Sequence, residues 1–366
     1  MGETPPRFAI DEDIRRAATL PAEVYGDPRY YDLARERIFA RSWQFVADAD
    51  RLRVPGQVYP WTLLDGCVGE PLLLTRDNDD RLHCLSNVCT HRGNLLVEGE
   101  GHAQVLRCRY HGRRFALDGR FLSMPEFDDV ADFPSEADNL PRVPFERWGK
   151  FLFAALDPAF TFDELIAPLR ERLAWLPLDD YVFDAAGSRD YLVRANWALY
   201  CDNYLEGFHI PYVHSGLAGA LDYGAYTTEI FSYCNLQLGI AAGAEDAFAP
   251  PPSSPDHGKR VAAYYYWLFP NLMFNFYPGA LSINVVQPLG PDRTKVSFLS
   301  YLQGSSGGYT GAGEGLDRVE REDEAIVERV QQGIRSRLYH RGRYSPRRES
   351  GVHHFHRLLA RFLAES

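Results

Sequence analysis

The sequence lacks the features that would assign it to a membrane, exported or nucleic-acid-binding class. No apolar run approaches the roughly 20 residues that a membrane-spanning helix requires. The opening residues, MGETPPRFAIDEDIRRA, contain no apolar signal core, and a net charge of −11 leaves no basic patch for nucleic acid. The six cysteines form no dense disulfide pattern for a chain of 366 residues. We therefore expect a cytoplasmic protein that binds neither membranes nor nucleic acid.

What the sequence does have is the length and apolar content for two domains with a sizeable core. Residues 12–40 have a helical pattern. From about Val46 to Leu156 short strands alternate with turn signals, and PLLLTRDNDDRLHCLSNV is the clearest hairpin. Residues 160–190 are predicted to be mixed and mainly helical, and a helix is predicted around Trp197–His209. Four strands, AAYYYWLFP, NLMFNFYP, LSINVVQP and TKVSFLSYL, then precede a C-terminal helix.

Two cysteines and two histidines stand close together, as Cys89-Thr-His91 and Cys108-Arg-Tyr-His111. Zinc accepts two thiolates and two imidazoles in a tetrahedral site. A Rieske [2Fe–2S] centre also takes two cysteines on one iron and two histidines on the other. In the usual zinc-finger order both cysteines come first, whereas here each half supplies one of each. This order lets two similar hairpin loops hold a cluster from opposite sides, and it favours the Rieske interpretation.

With the sequences HRG (91–93) and YHG (110–112), this box resembles the Rieske domain of the Rieske-type non-haem iron oxygenases. The resemblance implies an α+β chain with three parts. Residues 1–44 would be a helical segment packed on the catalytic domain, and residues 45–157 a small all-β Rieske [2Fe–2S] domain. Residues 158–366 would be a helix-grip catalytic domain, an antiparallel sheet with helices. Cys67 and Cys84 lie outside the box and are expected to be small core residues.

A second candidate metal site lies in NWALYCDNYLEGFHIPYVH, residues 196–214. Glu206 and His209 would share a helix face one turn apart. His214, five residues after His209, would point away, but Pro211 should end or kink the helix and let it swing back. Two histidines and one carboxylate that leave open positions are typical of non-haem Fe(II) sites that activate oxygen.

The resemblance assigns roles within this segment. It implies that Glu206 is a bridge and not a ligand, linking His209 in one subunit to His111 in the next. Many family members carry Asp here, and the Glu resembles the carnitine-monooxygenase-like branch. Asp202 and Asn203 are nearby candidates for supporting the metal ligands.

The third iron ligand is expected on the helix LDRVEREDEAIVERVQQGIRSR. Asp323 falls within its apolar stripe, where another apolar residue would be expected; the stripe comprises Leu316, Val319, Ile326, Val330 and Ile334. A buried carboxylate without a partner is costly, so a metal is a reasonable explanation. Glu320 is the main rival, and Glu322 and Glu324 are expected to be solvated. The stretch EDEAIVERVQQGIRSR also resembles the carboxylate-ligand helix of quaternary-ammonium Rieske oxygenases, with the match on Asp323.

These assignments imply an oxygenase terminal component that uses O₂ to hydroxylate or oxidatively demethylate a small organic substrate. The cofactors would be the [2Fe–2S] cluster and mononuclear Fe(II). No flavin or plant-type ferredoxin segment is present, so electrons from NAD(P)H would arrive only indirectly, through a separate flavin- or ferredoxin-type reductase. The family's head-to-tail ring, usually a homotrimer or a multiple of one, would place each cluster beside the next subunit's iron.

Two predicted strands bear on the substrate. Alternate residues of two strands predict an aromatic cavity lining that includes Trp267, Phe274 and Phe276, together with Tyr265; Asn203 is a further candidate. Such a cavity could stack a flat ring or attract a quaternary ammonium.

Three alternatives to this function stay open. They are an aromatic ring cis-dihydroxylating dioxygenase, a Rieske electron-transfer protein without oxygenase activity, and a zinc-stabilised binding protein.

Overall fold

The structure is a computed structural model that describes residues 5–214, 223–243, 246–304 and 314–365, without the side chains of residues 314–316. The chain divides into two units. One unit contains Met1–Phe39 and Phe160–Ser366, and the other contains Ala40–Ala159. The domain boundaries expected at 44/45 and 157/158 stay predictions. Within the described ranges, none of the helices combines the length and apolar character needed to cross a membrane.

The unit Ala40–Ala159 is built from short antiparallel strands. They are β1 (Gln44–Asp48), β2 (Gln57–Leu63), β3 (Glu70–Arg76), β4 (Leu82–Ser86), β5 (Gly101–His102), β6 (Leu106–Arg107), β7 (Arg114–Phe115), β8 (Phe121–Ser123), β9 (Phe145–Trp148) and β10 (Phe151–Ala154). They form three sheets, in the orders β1-β10-β9, β4-β3-β2-β5 and β6-β7-β8. The predicted hairpin is confirmed as β3 and β4, in which Leu74 lies opposite Cys84.

The turn of this hairpin depends on its polar residues. The Asp77 carboxylate accepts hydrogen bonds from the backbone N–H groups of Asp79 and Arg81, both at 2.9 Å. Asp80 adopts a left-handed conformation (φ 65°), which Asp tolerates better than most residues. On the inner side, Leu73 and Leu85 pack in one apolar cluster with Cys89 and Cys108. The strands thereby hold both cysteines of the box in the interior of this unit.

The other unit is organised around an antiparallel sheet. Its strands are β11 (Tyr181–Val193), β12 (Thr227–Ile230), β13 (Cys234–Ile240), β14 (Val261–Leu268), β15 (Leu272–Tyr277), β16 (Ala280–Gly290) and β17 (Arg293–Gln303). Their order among the described residues is β11-β17-β16-β15-β14-β13-β12. The four predicted strands are confirmed as β14 to β17.

Strand β11 is where the sequence interpretation was wrong, because residues 160–190 were expected to be mainly helical. Only Tyr181 and Val193 at its two ends are buried. Its middle, DAAGSRD, has no apolar alternation, so the period of two that marks a strand is hidden. Main-chain pairing with β17 holds it at the sheet edge.

The helices of this unit are α1 (Pro28–Ala34), α2 (Phe162–Arg172), α3 (Trp197–Tyr204), α4 (Ile210–Val213), α5 (Glu314–Ile334) and α6 (Ser350–Ala364). The helical pattern expected over residues 12–40 is realised only from residue 22 onward, as a short 3₁₀ turn (Ala22–Tyr25), α1 and a π turn (Arg35–Phe39). Asp27 caps α1 and Pro28 begins it, since proline costs nothing where its missing N–H would be unpaired.

Helix α3 is held at both ends by other helices. At its start, the Asn196 N–H donates to the Gln331 Oε1 of α5 at 2.8 Å. At its end, α6 approaches so closely that a Cβ at Gly351 would lie 2.4 Å from the Leu205 carbonyl oxygen. Only glycine fits this approach, so α6 packs directly against the C-terminal end of α3.

Candidate metal centres

The Cys/His box lies on two loops that are closed by the same pattern of backbone hydrogen bonds. In residues 89–94, Cys89 N–H donates to the Asn94 carbonyl at 2.9 Å and Gly93 N–H to the Cys89 carbonyl at 3.0 Å. Residues 108–113 repeat this pattern: Cys108 N–H donates to the Arg113 carbonyl at 2.8 Å, and Gly112 N–H to the Cys108 carbonyl at 3.0 Å. Both glycines have positive φ (73° and 80°), which explains HRG and YHG in the sequence.

The loops present their thiols inward and their imidazoles outward. Cys89 and Cys108 are each 2% exposed, whereas His91 and His111 are partly exposed. The two imidazole rings lie 4.8 Å apart, and His111 stacks on Tyr110 at 3.7 Å. Burial raises the pKa of the Cys89 thiol, and its hydrogen bond with Cys108 raises it further. Two adjacent thiols below two adjacent imidazoles form a donor set that fits a Rieske [2Fe–2S] cluster.

One residue ties both loops together. The Asp138 carbonyl accepts from Thr90 Oγ1 in the first loop at 2.8 Å and from Arg113 Nη2 at the end of the second at 3.1 Å. Arg113, 2% exposed, also donates to the Asp138 carboxylate at 2.6 Å. A backbone hydrogen bond from Ser135, together with Arg113, lowers the pKa of Asp138 and keeps it anionic. The spacing of the two loops is therefore set by a buried charge pair that the motif itself does not include.

The second site forms where α3 ends. The expected helix over 197–209 stops at Tyr204, and Pro211 lies in the first turn of α4 instead of ending a helix. His209 precedes α4 and His214 follows it. The Glu206 carboxylate accepts from the backbone N–H groups of Phe208 and His209, and so holds the turn between the two helices. One turn of helix thus separates the histidines, and the reversal places both imidazoles on one side.

The structure brings His209, His214 and Asp323 together. One candidate ligand atom from each side chain lies within 4.8 Å of the other two. The Asp323 Oδ1 atom is 3.1 Å from His214 Nε2 and 3.5 Å from His209 Nε2. Asn203 Nδ2 donates to the same oxygen at 2.8 Å. Two imidazole nitrogens and one carboxylate converging from one side form a donor set that fits non-haem Fe(II).

The Nδ1 atom of each of these two histidines contacts a carboxylate. Glu206 Oε1 lies 2.7 Å from His209 Nδ1, and Glu322 Oε2 lies 2.9 Å from His214 Nδ1. Such contacts select the tautomer whose Nε2 lone pair is free for a metal. Burial alone would lower the pKa of His214, but Asp323 and Glu322 outweigh burial and raise this pKa to about 9. Glu322, expected to be solvated, is therefore a functional candidate that the apolar stripe of α5 did not reveal.

Helix α5 is rotated relative to the stripe that the sequence predicts. Val327 and Gln331 are buried, whereas Val330 is 43% exposed, so that part of the stripe was wrong; the Leu316 side chain lies outside the described residues. The reason is that α5 packs on a polar edge of α3, where Gln331 is hydrogen-bonded to Asn196. Asp323 lies on the border between the predicted and the observed faces, with its side chain 13% exposed.

Asp202, expected near the metal, lies on the opposite side of α3. Its carboxylate accepts from Tyr25 Oη at 2.8 Å and lies 2.8 Å from His356 Nε2. His356 Nδ1 in turn lies 2.7 Å from Tyr344 Oη. Asp202 therefore anchors α3 to the N-terminal segment and to α6 and does not contact the metal group.

A cavity of about 1180 Å³ adjoins the three candidate iron ligands. Six tyrosines contribute to its lining: Tyr191, Tyr200, Tyr204, Tyr226, Tyr265 and Tyr277. Several of their hydroxyl groups are hydrogen-bonded to neighbouring side chains. Tyr204 donates to Asn275 at 2.7 Å and Tyr226 to Gln237 at 3.0 Å. Tyr265 and Tyr277 meet edge to face, with ring centroids 5.8 Å apart. The rings are thus held in place around a largely apolar space.

Of the five side chains predicted to line this cavity, Asn203 and Tyr265 do and the other three do not. Phe274 and Phe276 pair with Tyr266 and Tyr264 across β15 and β14 and lie on the other sheet face. The assumed phase of β15 was wrong by one residue, and Asn275 and Tyr277 line the cavity instead. Such a shift exchanges the two faces completely.

Trp267 lies on the same face of β14 as the cavity, but it is beyond the part of the strand that lines the cavity. It packs against Phe355 of α6, with ring centroids 5.2 Å apart, and is fully buried there. Tyr265, two residues earlier on the same face, lines the cavity.

Comparisons with known proteins agree with these two centres. Residues 42–134 match the Rieske [2Fe-2S] domain, and residues 178–365 match the ring hydroxylating alpha subunit catalytic domain. The chain is 31% identical to a chloroplastic choline monooxygenase of Arabidopsis thaliana, over 94% of this chain and 83% of the relative. It is 30% identical to the carnitine monooxygenase oxygenase subunit of Escherichia coli, over 98% and 99%. A solved quaternary ammonium Rieske monooxygenase superposes with a TM-score of 0.79, at 26% identity over 98% of this chain and 100% of that one.

Proposed function

This chain belongs to the Rieske-type ring-hydroxylating oxygenases, and on that premise we propose that it hydroxylates or oxidatively demethylates a small quaternary-ammonium compound. The family makes it an oxidoreductase with a Rieske [2Fe–2S] cluster, mononuclear iron and O₂ as co-substrate. It acts on a small molecule and receives its electrons from an electron-transfer partner.

The observation that carries the substrate class is the tyrosine lining beside the metal group. A quaternary ammonium cannot donate an ordinary hydrogen bond, so proteins hold it by aromatic faces and by negative charge. Tyr265 and Tyr277 both line the cavity, and their ring planes are inclined at 80° to each other, so the pair would form two walls of an aromatic cage. The relatives named for choline and carnitine support the same class.

The ligand assignments are part of this proposal. Cys89, His91, Cys108 and His111 would hold the [2Fe–2S] cluster, and His209, His214 and Asp323 would hold the mononuclear iron. When bound, the cluster supplies electrons one at a time and the iron supplies the position at which O₂ is activated.

The surrounding residues keep these ligands in place. Glu206 and Glu322 accept the Nδ1 protons of His209 and His214, so that each Nε2 stays unprotonated toward the metal. The Asn203 amide fixes one Asp323 oxygen through its hydrogen bond. Among the cavity walls, the tethered tyrosines exclude water and orient the substrate.

We further propose that the enzyme is a homotrimer or a multiple of one. Glu206 would connect His209 to His111 of the partner subunit, and the partly exposed imidazole of His111 supports such a contact. A solved relative is described in terms of inter-subunit electron transfer. The electron donor would be a separate flavin- or ferredoxin-type reductase supplied by NAD(P)H.

The first experiment is metal analysis followed by substrate turnover. We expect about three irons and two acid-labile sulfides per chain, in a brown protein that bleaches with dithionite. With a suitable reductase, product should form from quaternary ammonium compounds and not from their neutral carbon isosteres. Zinc without sulfide would refute the oxygenase assignment. Two irons per chain, with no turnover after Fe(II) is added, would favour an electron-transfer protein. Formation of a cis-diol from a set of aromatic compounds would show that the substrate is aromatic and not a quaternary ammonium.

A second experiment tests the inter-subunit bridge. Cys108→Ser removes the cluster and Asp323→Ala removes the mononuclear iron, so each variant alone should be inactive. Co-expressed chains should recover activity, because an intact cluster in one subunit would lie beside an intact iron in its neighbour. A mixed oligomer without activity would show that transfer occurs within one chain.

A further inference from the structure

Two parallel hydrogen bonds connect α3 and α5 within the cavity wall. Asn203 Nδ2 donates to Asp323 Oδ1 at 2.8 Å, and Tyr200 Oη donates to Glu320 Oε2 at 2.9 Å. In each helix the two residues are three positions apart, which places them on one face about 4.5 Å apart along the axis. All four side chains line the cavity. The carboxyl group of Glu320 thus lies one helical turn from the candidate iron ligand Asp323.

Glu320 contributes a carboxylate to the cavity wall. Among the described residues, no lysine or arginine forms an ion pair with it, and its hydrogen bond comes from the neutral Tyr200 hydroxyl. Neighbouring acidic residues of α5 are different: Asp317 pairs with Arg321 at 2.9 Å and Glu322 with Arg318 at 3.0 Å. Burial and the Asp323 charge raise the pKa of Glu320 to about 8, because both disfavour its charged form. A partly buried carboxylate of this kind is stabilised by a cation.

We propose that Glu320, positioned by Tyr200, is the specificity-determining anion that receives the positive centre of the substrate. This inference rests on the proposed quaternary-ammonium function. The carboxylate would supply the charge attraction, and the cage tyrosines would supply apolar and cation–π contact. Its place one turn from Asp323 holds the ammonium centre beside the metal group, so that a methyl or methylene attached to nitrogen reaches the reacting position.

The test measures binding as well as turnover. Tetramethylammonium is titrated calorimetrically into anaerobic, iron-loaded wild-type protein and into Glu320→Gln, which keeps the side-chain size and removes the charge. We expect its affinity to fall about tenfold to hundredfold in the variant, the cost of removing one partner of a partly desolvated charge pair. Binding of the carbon isostere of choline, in which carbon replaces the quaternary nitrogen, should change by less than about twofold.

Two further variants separate charge recognition from disturbance of the fold. Glu328→Gln removes a carboxylate from the same helix outside the cavity, where Glu328 pairs with Arg194, and should leave affinity unchanged. Glu320→Asp keeps the negative charge but shortens the side chain by one methylene. This variant should bind tetramethylammonium more tightly than Glu320→Gln and less tightly than the wild type. Equal loss for tetramethylammonium and for the isostere in Glu320→Gln would overturn the proposal, because the role would then be structural.

The outcomes distinguish this inference from the proposed function. If ammonium compounds are oxidised but Glu320→Gln binds tetramethylammonium as well as the wild type does, the proposed function stands and Glu320 is not the recognition site. If the binding depends on Glu320 but no ammonium compound is oxidised, the cation site stands and the proposed reaction is wrong.

Discussion

Replacing Glu322 by alanine tests whether the carboxylates behind the histidines hold the iron site together. In the structure Glu322 Oε2 lies 2.9 Å from His214 Nδ1, and its other oxygen accepts from Arg318 at 3.0 Å. Alanine removes the acceptor that selects the His214 tautomer and limits rotation of its ring. The three proposed ligands, His209, His214 and Asp323, are unchanged in this variant.

The expected size follows from what such supporting contacts contribute to other metal sites. Loss of a carboxylate behind a metal-binding histidine weakens metal affinity about tenfold to hundredfold, or about 1.4 to 2.7 kcal/mol. An opposing effect operates in the metal-free protein, because Glu322 also raises the pKa of His214 and so favours a competing proton. Equilibrium affinity near neutral pH combines both effects, whereas the rate of iron release reports mainly the loss of support.

The assay is therefore the release of Fe(II) to a ferrous chelator under anaerobic conditions. We expect Glu322→Ala to release the mononuclear iron about tenfold to hundredfold faster than the wild type. The visible spectrum of the [2Fe–2S] cluster should not change. Glu328→Gln is the matched control on the same helix. Iron release from Glu322→Ala within twofold of the wild-type rate would refute the supporting role of this carboxylate.

The remaining predictions concern the two centres and their connection. Cys108→Ser should remove the visible absorption and the labile sulfide and leave about one iron per chain, while Cys84→Ser should keep both centres. Asp323→Ala should lower the iron content to about two per chain with full sulfide, measured by metal analysis. Glu206→Gln should keep both centres loaded but slow product formation from a pre-reduced cluster by about tenfold or more in single-turnover experiments; an unchanged rate would remove Glu206 from the electron path. Because the pKa of His214 is about 9 without metal, Fe(II) uptake at pH 7 should release a proton, and affinity should fall up to about tenfold per pH unit below that pKa, measured with a pH indicator and by titration.

Secondary-structure elements whose sequence pattern lies within the element itself were predicted correctly. The hairpin of β3 and β4 carries its turn residues between two β-rich runs, and β14 to β17 have clear strand composition. Strand β11 was missed because its pairing partner β17 lies more than a hundred residues away in sequence. The phase of β15 was also misjudged, since five of its six residues are buried and burial therefore does not distinguish its two faces.

The sequence by itself indicated the candidate cysteine and histidine ligands of the two proposed centres, because within each short motif they lie a few residues apart and local spacing limits what they can bind. Only the tertiary structure decided what surrounds them. Glu322 meets His214 across 108 positions, and Tyr200 meets Glu320 across 120. These contacts depend on the rotation of α5 against α3, and that rotation follows from packing between distant segments and not from any pattern within either helix.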